Sequence, residues 1–330
     1  MKYFLTLDLG GTKTSAALFT QEGVMVENYV YTVASKTFHG ESAVYENSKK
    51  ALEHILDQFK VDMSEVLGMG VGCPGPLDAD RGIILNAPLM GWKNFPLKDR
   101  LTQDFQLPVR VDNDCNLGAL AEQRQGCAMG LKNVIYVTVS TGVGAGILID
   151  GQIYHGKTGG AGEFGHLSIE ENGKLCPCGN RGCLELYCSG TAIKDILVQE
   201  SRKGTKGLVF DLAAGNKGKL DAKLLAEAAE QGDAFSLALF ERIGERLGYG
   251  LSNLFNLFDP DMVVIGGGVS KSHQFFEEAL LRALKSRVIG YVQDGQIAYS
   301  SMCDKVVLYG ACSLIREAVE KGEKSCHLLH

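Results

Sequence analysis

A two-lobed α/β protein with a cleft between its lobes is the fold class this sequence predicts, on three observations. The stretch YFLTLDLGGTKTSAALFT (3–20) reads as strand, glycine turn, strand, and NVIYVTVSTGVGAGILIDGQIY (133–154) repeats the device. Both copies are followed by segments with helical spacing, which argues for β-rich units covered by helices. A chain of 330 residues is also long for a single hydrophobic core.

The elements follow in order. After the first hairpin, Glu22-Gly23 is a turn and VMVENYVYTV (24–33) a third strand. Residues 41–59 carry apolar positions at helical spacing, among them Val44, Leu52, Ile55, Leu56 and Phe59. VLGMGVGC (66–73) is a short buried strand that ends at Pro74-Gly75-Pro76. LPVRVDND (107–114) is strand and loop, and a helix covers 115–126. Beyond the second hairpin, helices are expected over 190–203, 221–231 and 233–258. MVVIGGGVS (262–270) is a strand running into glycines, followed by a helix over 272–287, and KVVLYGACSLIREAVE (305–320) closes as strand then helix. The lobe crossing falls near 112–114. The expected lobes are a smaller one of 1–112 plus 304–330 and a larger one of 113–303 carrying a cysteine-rich loop.

Bulk properties narrow the classes. With 45% hydrophobic and 22% charged residues the composition is that of a soluble globular protein. The formal net charge of −6 disfavours a sequence-neutral nucleic-acid binder, which needs a basic face against phosphates. The opening MKYFLTLDLGG has no long apolar region and no cleavage pattern, and no apolar run approaches membrane-spanning length, so neither a signal peptide nor a membrane partner is expected. Ten cysteines in that context suit thiols or a metal in a reducing, cytoplasmic compartment.

The 41 glycines cluster beside apolar strands. In Asp8-Leu9-Gly10-Gly11-Thr12-Lys13 paired glycines let backbone N–H groups face an anion, Thr12 adds a hydroxyl and Lys13 a charge. Asp8 at the strand end can hold magnesium through water. Ser140-Thr141-Gly142-Val143-Gly144 has similar chemistry, and Gly266-Gly267-Gly268 is a third such turn. Each alone reads equally as a hairpin or strand-end turn. Two matched hairpins and a third turn suit a nucleotide with its phosphates at both hairpins and its adenosine near Gly267.

Val111-Asp112-Asn113-Asp114 ends a strand where a helix begins. Taken alone, Asp114 is an N-cap, a role Asp fills well. The functional alternative makes it the base that orients and deprotonates an attacking hydroxyl, with Asn113 positioning the same substrate.

His166, Cys176, Cys178 and Cys183 offer an imidazole and three thiolates, a closed tetrahedral set that suits zinc. Four protein ligands leave no open position, so such a zinc holds a loop and performs no chemistry. The loop carries Glu163, His166 and Glu185. The two carboxylates accept hydroxyl hydrogen bonds and the second ring nitrogen of His166 can donate one, which together recognise a polyol.

On these residues the chain resembles the ROK family (repressor, open reading frame, kinase) of bacterial sugar kinases. The resemblance rests on DLGGTK (8–13), GCPGPLD (72–78), DNDCNLGALAE (112–122), STGVGAG (140–146), GEFGH (162–166), CPCGNRGCLE (176–185) and VIGGG (264–268). It implies the actin/hexokinase-like, ribonuclease H-like fold, with ATP, Mg²⁺ and a structural Zn²⁺. It also implies transfer of the γ-phosphoryl group to a hexose hydroxyl, usually at C6. By position Asp114 looks like the catalytic base, and Asn113, Glu163, His166 and Glu185 like sugar contacts, with Gly75 and Asn86 as further ones. Asp8, Gly10, Gly11, Thr12, Thr141 and Gly142 look like phosphate-side residues with Lys13 beside them, and Gly267 and Gly268 like adenosine-side ones. A homodimer is a common state of such relatives. Ser140 departs from the glycine that many relatives have before Thr141.

Three function classes are weighed: a hexose kinase, a sugar-responsive repressor, and a zinc-stapled sugar binder without catalysis. A repressor needs a helix-turn-helix ahead of the first phosphate turn, which here begins at residue 8. A bare binder should lack Asp114 or a phosphate turn, and both are present. APLMGW (87–92) followed by FPL (95–97) is similar to glucokinase members, so glucose is the expected acceptor. N-acetylmannosamine, N-acetylglucosamine, allose, mannose and fructose are the alternatives.

Overall fold

The structure, a computed structural model, describes residues 1–35, 37 and 40–322. The chain opens with β1 (Tyr3–Leu9), β2 (Lys13–Thr20) and β3 (Tyr31–Ala34), then α1 (Glu41–Phe59) and β4 (Val66–Cys73). A small sheet follows, β5 (Leu77–Asp78), β6 (Ile83–Ala87) and β7 (Trp92–Phe95), then α2 (Leu97–Phe105), β8 (Val109–Asn113) and α3 (Asp114–Gln125). Next come β9 (Val134–Val139), β10 (Val143–Ile149) and β11 (Gln152–Ile153), then α4 (Glu185–Cys188), α5 (Gly190–Lys203), α6 (Leu208–Ala213), α7 (Ala222–Glu230) and α8 (Ala234–Phe258). β12 (Met262–Gly266), α9 (Glu277–Lys285), β13 (Ile297–Tyr299) and α10 (Val306–Glu320) complete the described elements.

Two five-stranded sheets have the orders β3-β2-β1-β4-β8 and β11-β10-β9-β12-β13. Renumbered within each sheet, the order is the same, so the repeated hairpin marks a repeated sheet. In the first sheet β1–β2 and β2–β3 are antiparallel, whereas β1–β4 and β4–β8 are parallel. In the second, β9–β12 and β12–β13 are again parallel.

The chain divides into two compact units. One holds Met1–Lys132, Gly146–Ala161 and the residues from Asp304 on, and the other holds Asn133–Ala145 and Gly162–Cys303. The chain thus leaves the first unit at 132–133, not at 112–114, because α3 packs along α10 and stays with β8. Residues 323–330 of the expected first lobe lie outside the described residues.

Strand periodicity builds the first unit's core. Leu5, Leu7 and Leu9 of β1 join Ala16 and Leu18 of β2 against α1 residues Val44, Leu52 and Ile55. Phe4, Ala17 and Phe19 on the opposite face meet Leu308, Cys312 and Ile315 of α10. β4 spends its α10-facing positions on glycine. A Cβ on Gly70 would lie 2.0 Å from the Ala311 carbonyl oxygen, and one on Gly72 would lie 2.3 Å from Val307 Cγ1. These strand glycines serve helix packing, not a ligand.

Local expectations differ from the structure at three places, one being the helix expected over 272–287, which is α9 starting at Glu277 after a 3₁₀ segment over Val269–Phe275. The strand expected over 24–33 shortens to β3, because Glu27 and Asn28 take left-handed φ values of 49° and 52°. The strand expected at 305–309 is the first turn of α10: Val306, Leu308, Ala311, Cys312 and Ile315 bury one helical face despite their β-branched neighbours.

Candidate functional site

The candidate residues form one group in each unit. In the first, parallel pairing aligns Asp8, Gly72 and Asp112 in a row across β1, β4 and β8. Asp8 keeps some solvent-facing surface yet is enclosed by protein. Burial, then the Asp114 charge and that of Asp304, push its carboxyl up to about 7, against the opposing pull of Lys13. A carboxylate so crowded by its own sign gains from a cation, and a magnesium ion at Asp8 fits this donor chemistry.

The adjoining turn is braced from β3's end. Gly10 N–H donates to the Lys13 carbonyl at 2.9 Å. Ser35, fully buried, donates its N–H to the Thr12 carbonyl at 3.0 Å and its hydroxyl to the Gly10 carbonyl at 2.6 Å. Ser35 was invisible in the sequence because nothing local marks a serine twenty-odd residues away as a brace. Gly11, Thr12 and Lys13 keep exposed or part-exposed surface, and Lys13 Nζ pairs with Asp304 Oδ2 at 2.9 Å.

At the β8–α3 junction Asn113, not Asp114, is the N-cap: its Oδ1 accepts from Cys115 N–H at 2.8 Å and from Asn116 N–H at 3.4 Å. Asp114 is the first helical residue, and its Oδ1 accepts from the same Cys115 N–H at 2.8 Å. Gly75 comes beside Asn113, since a Cβ there would lie 3.3 Å from Asn113 Nδ2. Asn86 on β6 is tied to the same segment through its N–H to the Pro76 carbonyl at 3.5 Å. His155, which the sequence reading passed over, places Nε2 2.8 Å from Asp112 Oδ2.

In the second unit the β9–β10 turn is locked onto the start of α5. Gly190 N–H donates to the Ser140 carbonyl at 2.6 Å, and the Thr191 hydroxyl donates to the Thr141 carbonyl at 2.8 Å. Glu185 reaches the same turn, with Oε2 accepting from Val143 N–H at 3.0 Å. A Cβ on Gly142 would lie 2.6 Å from that oxygen, which explains the glycine. Gly267 needs its glycine for another reason: φ is +91° and a Cβ would sit 2.4 Å from the Val139 carbonyl oxygen.

A cleft of about 890 Å³ within this unit is lined by Thr141 and Gly268 together with Lys194, Lys223, Glu227 and Lys271. Its size and its mix of hydroxyl, backbone and cationic groups can take a nucleotide. The three lysines and Glu227 went unnoticed in the sequence because they sit on separate helices and turns with no shared motif.

The proposed metal ligands converge. One ligand atom each from His166, Cys176, Cys178 and Cys183 lies within 4.8 Å of every other. Cys178 Sγ and Cys183 Sγ are 3.6 Å apart, and Cys176 Sγ is 3.8 Å from His166 Nδ1. Zinc–sulfur bonds of 2.3 Å in a tetrahedron set sulfurs about 3.8 Å apart, so the set fits zinc. Gly179 and Gly182, with φ of +96° and +69°, shape the loop, and Cys176 N–H closes it on the Asn180 carbonyl at 2.7 Å. His166 turns Nδ1 toward the thiols and Nε2 toward Glu163 Oε2, 3.9 Å away. A metal on Nδ1 therefore leaves Nε2 on the side of Glu163.

The ROK family model matches residues 4–318. The chain is 34% identical to a glucokinase of Halalkalibacterium halodurans, over 98% of this chain and 99% of that protein. It is 30% identical to a xylose repressor of Caldicellulosiruptor bescii, over 88% of this chain and 74% of the repressor. Among solved structures it is similar to a ROK family glucokinase from Streptomyces griseus in complex with glucose and AMPPNP. There the TM-score is 0.82 and the identity 31%, over 96% of this chain and 99% of that one. The α/β chain has the two-lobed actin/hexokinase-like fold that the sequence led us to expect. No helix among the described residues is long and apolar enough to cross a membrane.

Proposed function

From the premise that this chain belongs to the ROK family, we propose that it is an ATP-dependent hexose kinase acting on the 6-hydroxyl of glucose. The observation that carries the reading is the alignment with a glucokinase along nearly the whole of both chains. The site residues support it. In this reading Asp114 takes the proton of the sugar hydroxyl as that oxygen attacks the γ-phosphorus and ADP departs. Asn113, Gly75, Asn86, Glu163, His166 and Glu185 hold the sugar. Gly10, Gly11, Thr12 and Lys13 on one side and Thr141 and Gly142 on the other hold phosphates, with Gly267 and Gly268 beside the adenosine. Asp8 would hold a magnesium ion, which would supply positive charge to the phosphates. The zinc ligands pin the loop that carries the sugar contacts. A homodimer in the cytoplasm belongs to the same proposal.

A repressor is the second reading, favoured by the xylose repressors among the relatives. It differs from the first in turnover. Coupled ADP-release assays over glucose, mannose, fructose, allose and the N-acetylated hexosamines test both. Glucose-dependent turnover above the other sugars is expected. A stronger response to an N-acetylated sugar would overturn glucose, and no turnover with any hexose would overturn the kinase.

A further inference from the structure

We propose that His155 is a positioning residue for phosphoryl transfer: it bonds to the buried Asp112 carboxylate and so fixes the β8–α3 junction that carries Asn113 and Asp114. The inference rests on the hexose-kinase reading above and concerns a residue that the reading does not use.

Asp112 has a side chain only 3% exposed. A carboxylate so enclosed needs a donor at each oxygen. Its Oδ1 accepts from Asn113 N–H at 2.7 Å and from Asn116 Nδ2 at 2.9 Å, both parts of the junction itself. Its Oδ2 takes the His155 ring at 2.8 Å, from the segment that follows β11. The ring nitrogen must donate there, because a carboxylate offers only lone pairs.

The charged groups facing the ring are Asp112 on β8 and Asp80 in the β5–β6 connection. The Asp112 hydrogen bond holds the imidazole above its ordinary value, outweighing the burial that opposes its charge. A cation here also suits the row of carboxylates, in which Lys13 faces Asp8 and His155 faces Asp112.

The link to chemistry runs through one amide. Cys115 N–H is shared by Asn113 Oδ1 and Asp114 Oδ1. If Oδ2 loses its donor, Asp112 must turn toward another, and turning withdraws Oδ1 from Asn113 or Asn116. Either move shifts the first turn of α3, and the direction of Asp114 shifts with it. A misaimed base lowers turnover more than it lowers sugar binding.

The test compares His155→Ala, which removes the donor, with His155→Gln, which keeps an N–H donor but cannot titrate. On the full-length chain, kcat and the KM values for glucose and ATP are measured from pH 6 to 9, with thermal melting alongside. His155→Ala should lose at least tenfold in kcat at pH 7 with KM for glucose changed less than threefold. His155→Gln should return to within threefold of the parent kcat. The parent and the Gln variant should share the same dependence of kcat on pH above 7, because neutral imidazole keeps one N–H and Asp112 Oδ2 still takes it; an alkaline loss confined to the parent would overturn the proposal. An Ala variant with parent-like kcat would sink the inference, as would a Gln variant no better than Ala. If the Ala variant melts below the assay temperature, the Gln variant decides alone: a parent-like melt with kcat more than threefold below the parent's overturns the proposal. A parent chain inactive on every hexose would instead overturn the kinase reading, and this one with it.

Discussion

Asp114 shares the Cys115 amide with the Asn113 cap, so the start of α3 does not depend on Asp114 for capping. Asp114→Asn should therefore leave melting nearly unchanged and keep glucose affinity within threefold by calorimetry. Its kcat should fall by about 10²–10⁴, the usual worth of a general base; an unaltered kcat would strip Asp114 of that role. Asp8 gives a pH-dependent outcome. Its pKa in the fold, about 7, lies above the ordinary value of 3.8, so the folded chain holds that proton more tightly than the unfolded one. The contribution of Asp8 to stability is complete below pH 4 and is lost as pH rises toward 7. Asp8→Asn should remove that loss and stabilise the protein at pH 7.5 by on the order of 1–2 kcal/mol after discounting for its solvent-facing surface, while phosphoryl transfer fails. Melting curves at pH 5 and 7.5, with and without magnesium, measure it, and equal slopes for parent and variant would contradict the assigned environment. Such residues differ in legibility. Asp114 and the cysteines announce themselves because their partners sit a few positions away. Ser35 and His155 do not, because their partners lie 25 and 43 positions away and only the folded sheet brings them near.

At the scale of elements, the loop of 166–183 shows most plainly what spacing can reveal. Three cysteines and a histidine in a glycine-rich run converge within 4.8 Å, and their sequence order alone suggested it. Cys178, the exposed member of the set, separates metal binding from core packing. Cys178→Ser should drop zinc content well below one ion per chain and raise KM for the hexose, with little change in KM for ATP. Metal analysis and kinetics measure both, and a zinc-poor variant with unaltered sugar KM would show that the metal does not position the sugar contacts. The beginning of α10 shows the opposite limit. Val306 and Val307 favour strand by local preference, and only burial against β1, β4 and α3 makes them helical. The glycines of β4 had the same concealment: alternate positions left bare for a helix look, in sequence, like a weak strand.

For the whole molecule, the repeated hairpin disclosed a repeated sheet, and that was the most legible part of the fold. Unit boundaries were harder to read, because composition does not change where α3 turns back to pack on α10. The packing has a measurable outcome. Truncation after Cys303 removes Leu308, Cys312 and Ile315 from the face of Phe4, Ala17 and Phe19. The shortened chain should be insoluble or bind a hydrophobic dye strongly, whereas a cooperative melt like the parent's would show that the face closes without α10.

The same arrangement has a consequence during synthesis. The first sheet is made before the second unit, but the helix that covers one of its faces is made after it. At 5–20 residues per second, the stretch between Lys132 and Val306 takes roughly 9–35 s to translate. For that interval an apolar surface waits in the nascent chain, and its safekeeping falls to whatever holds unfinished polypeptides apart.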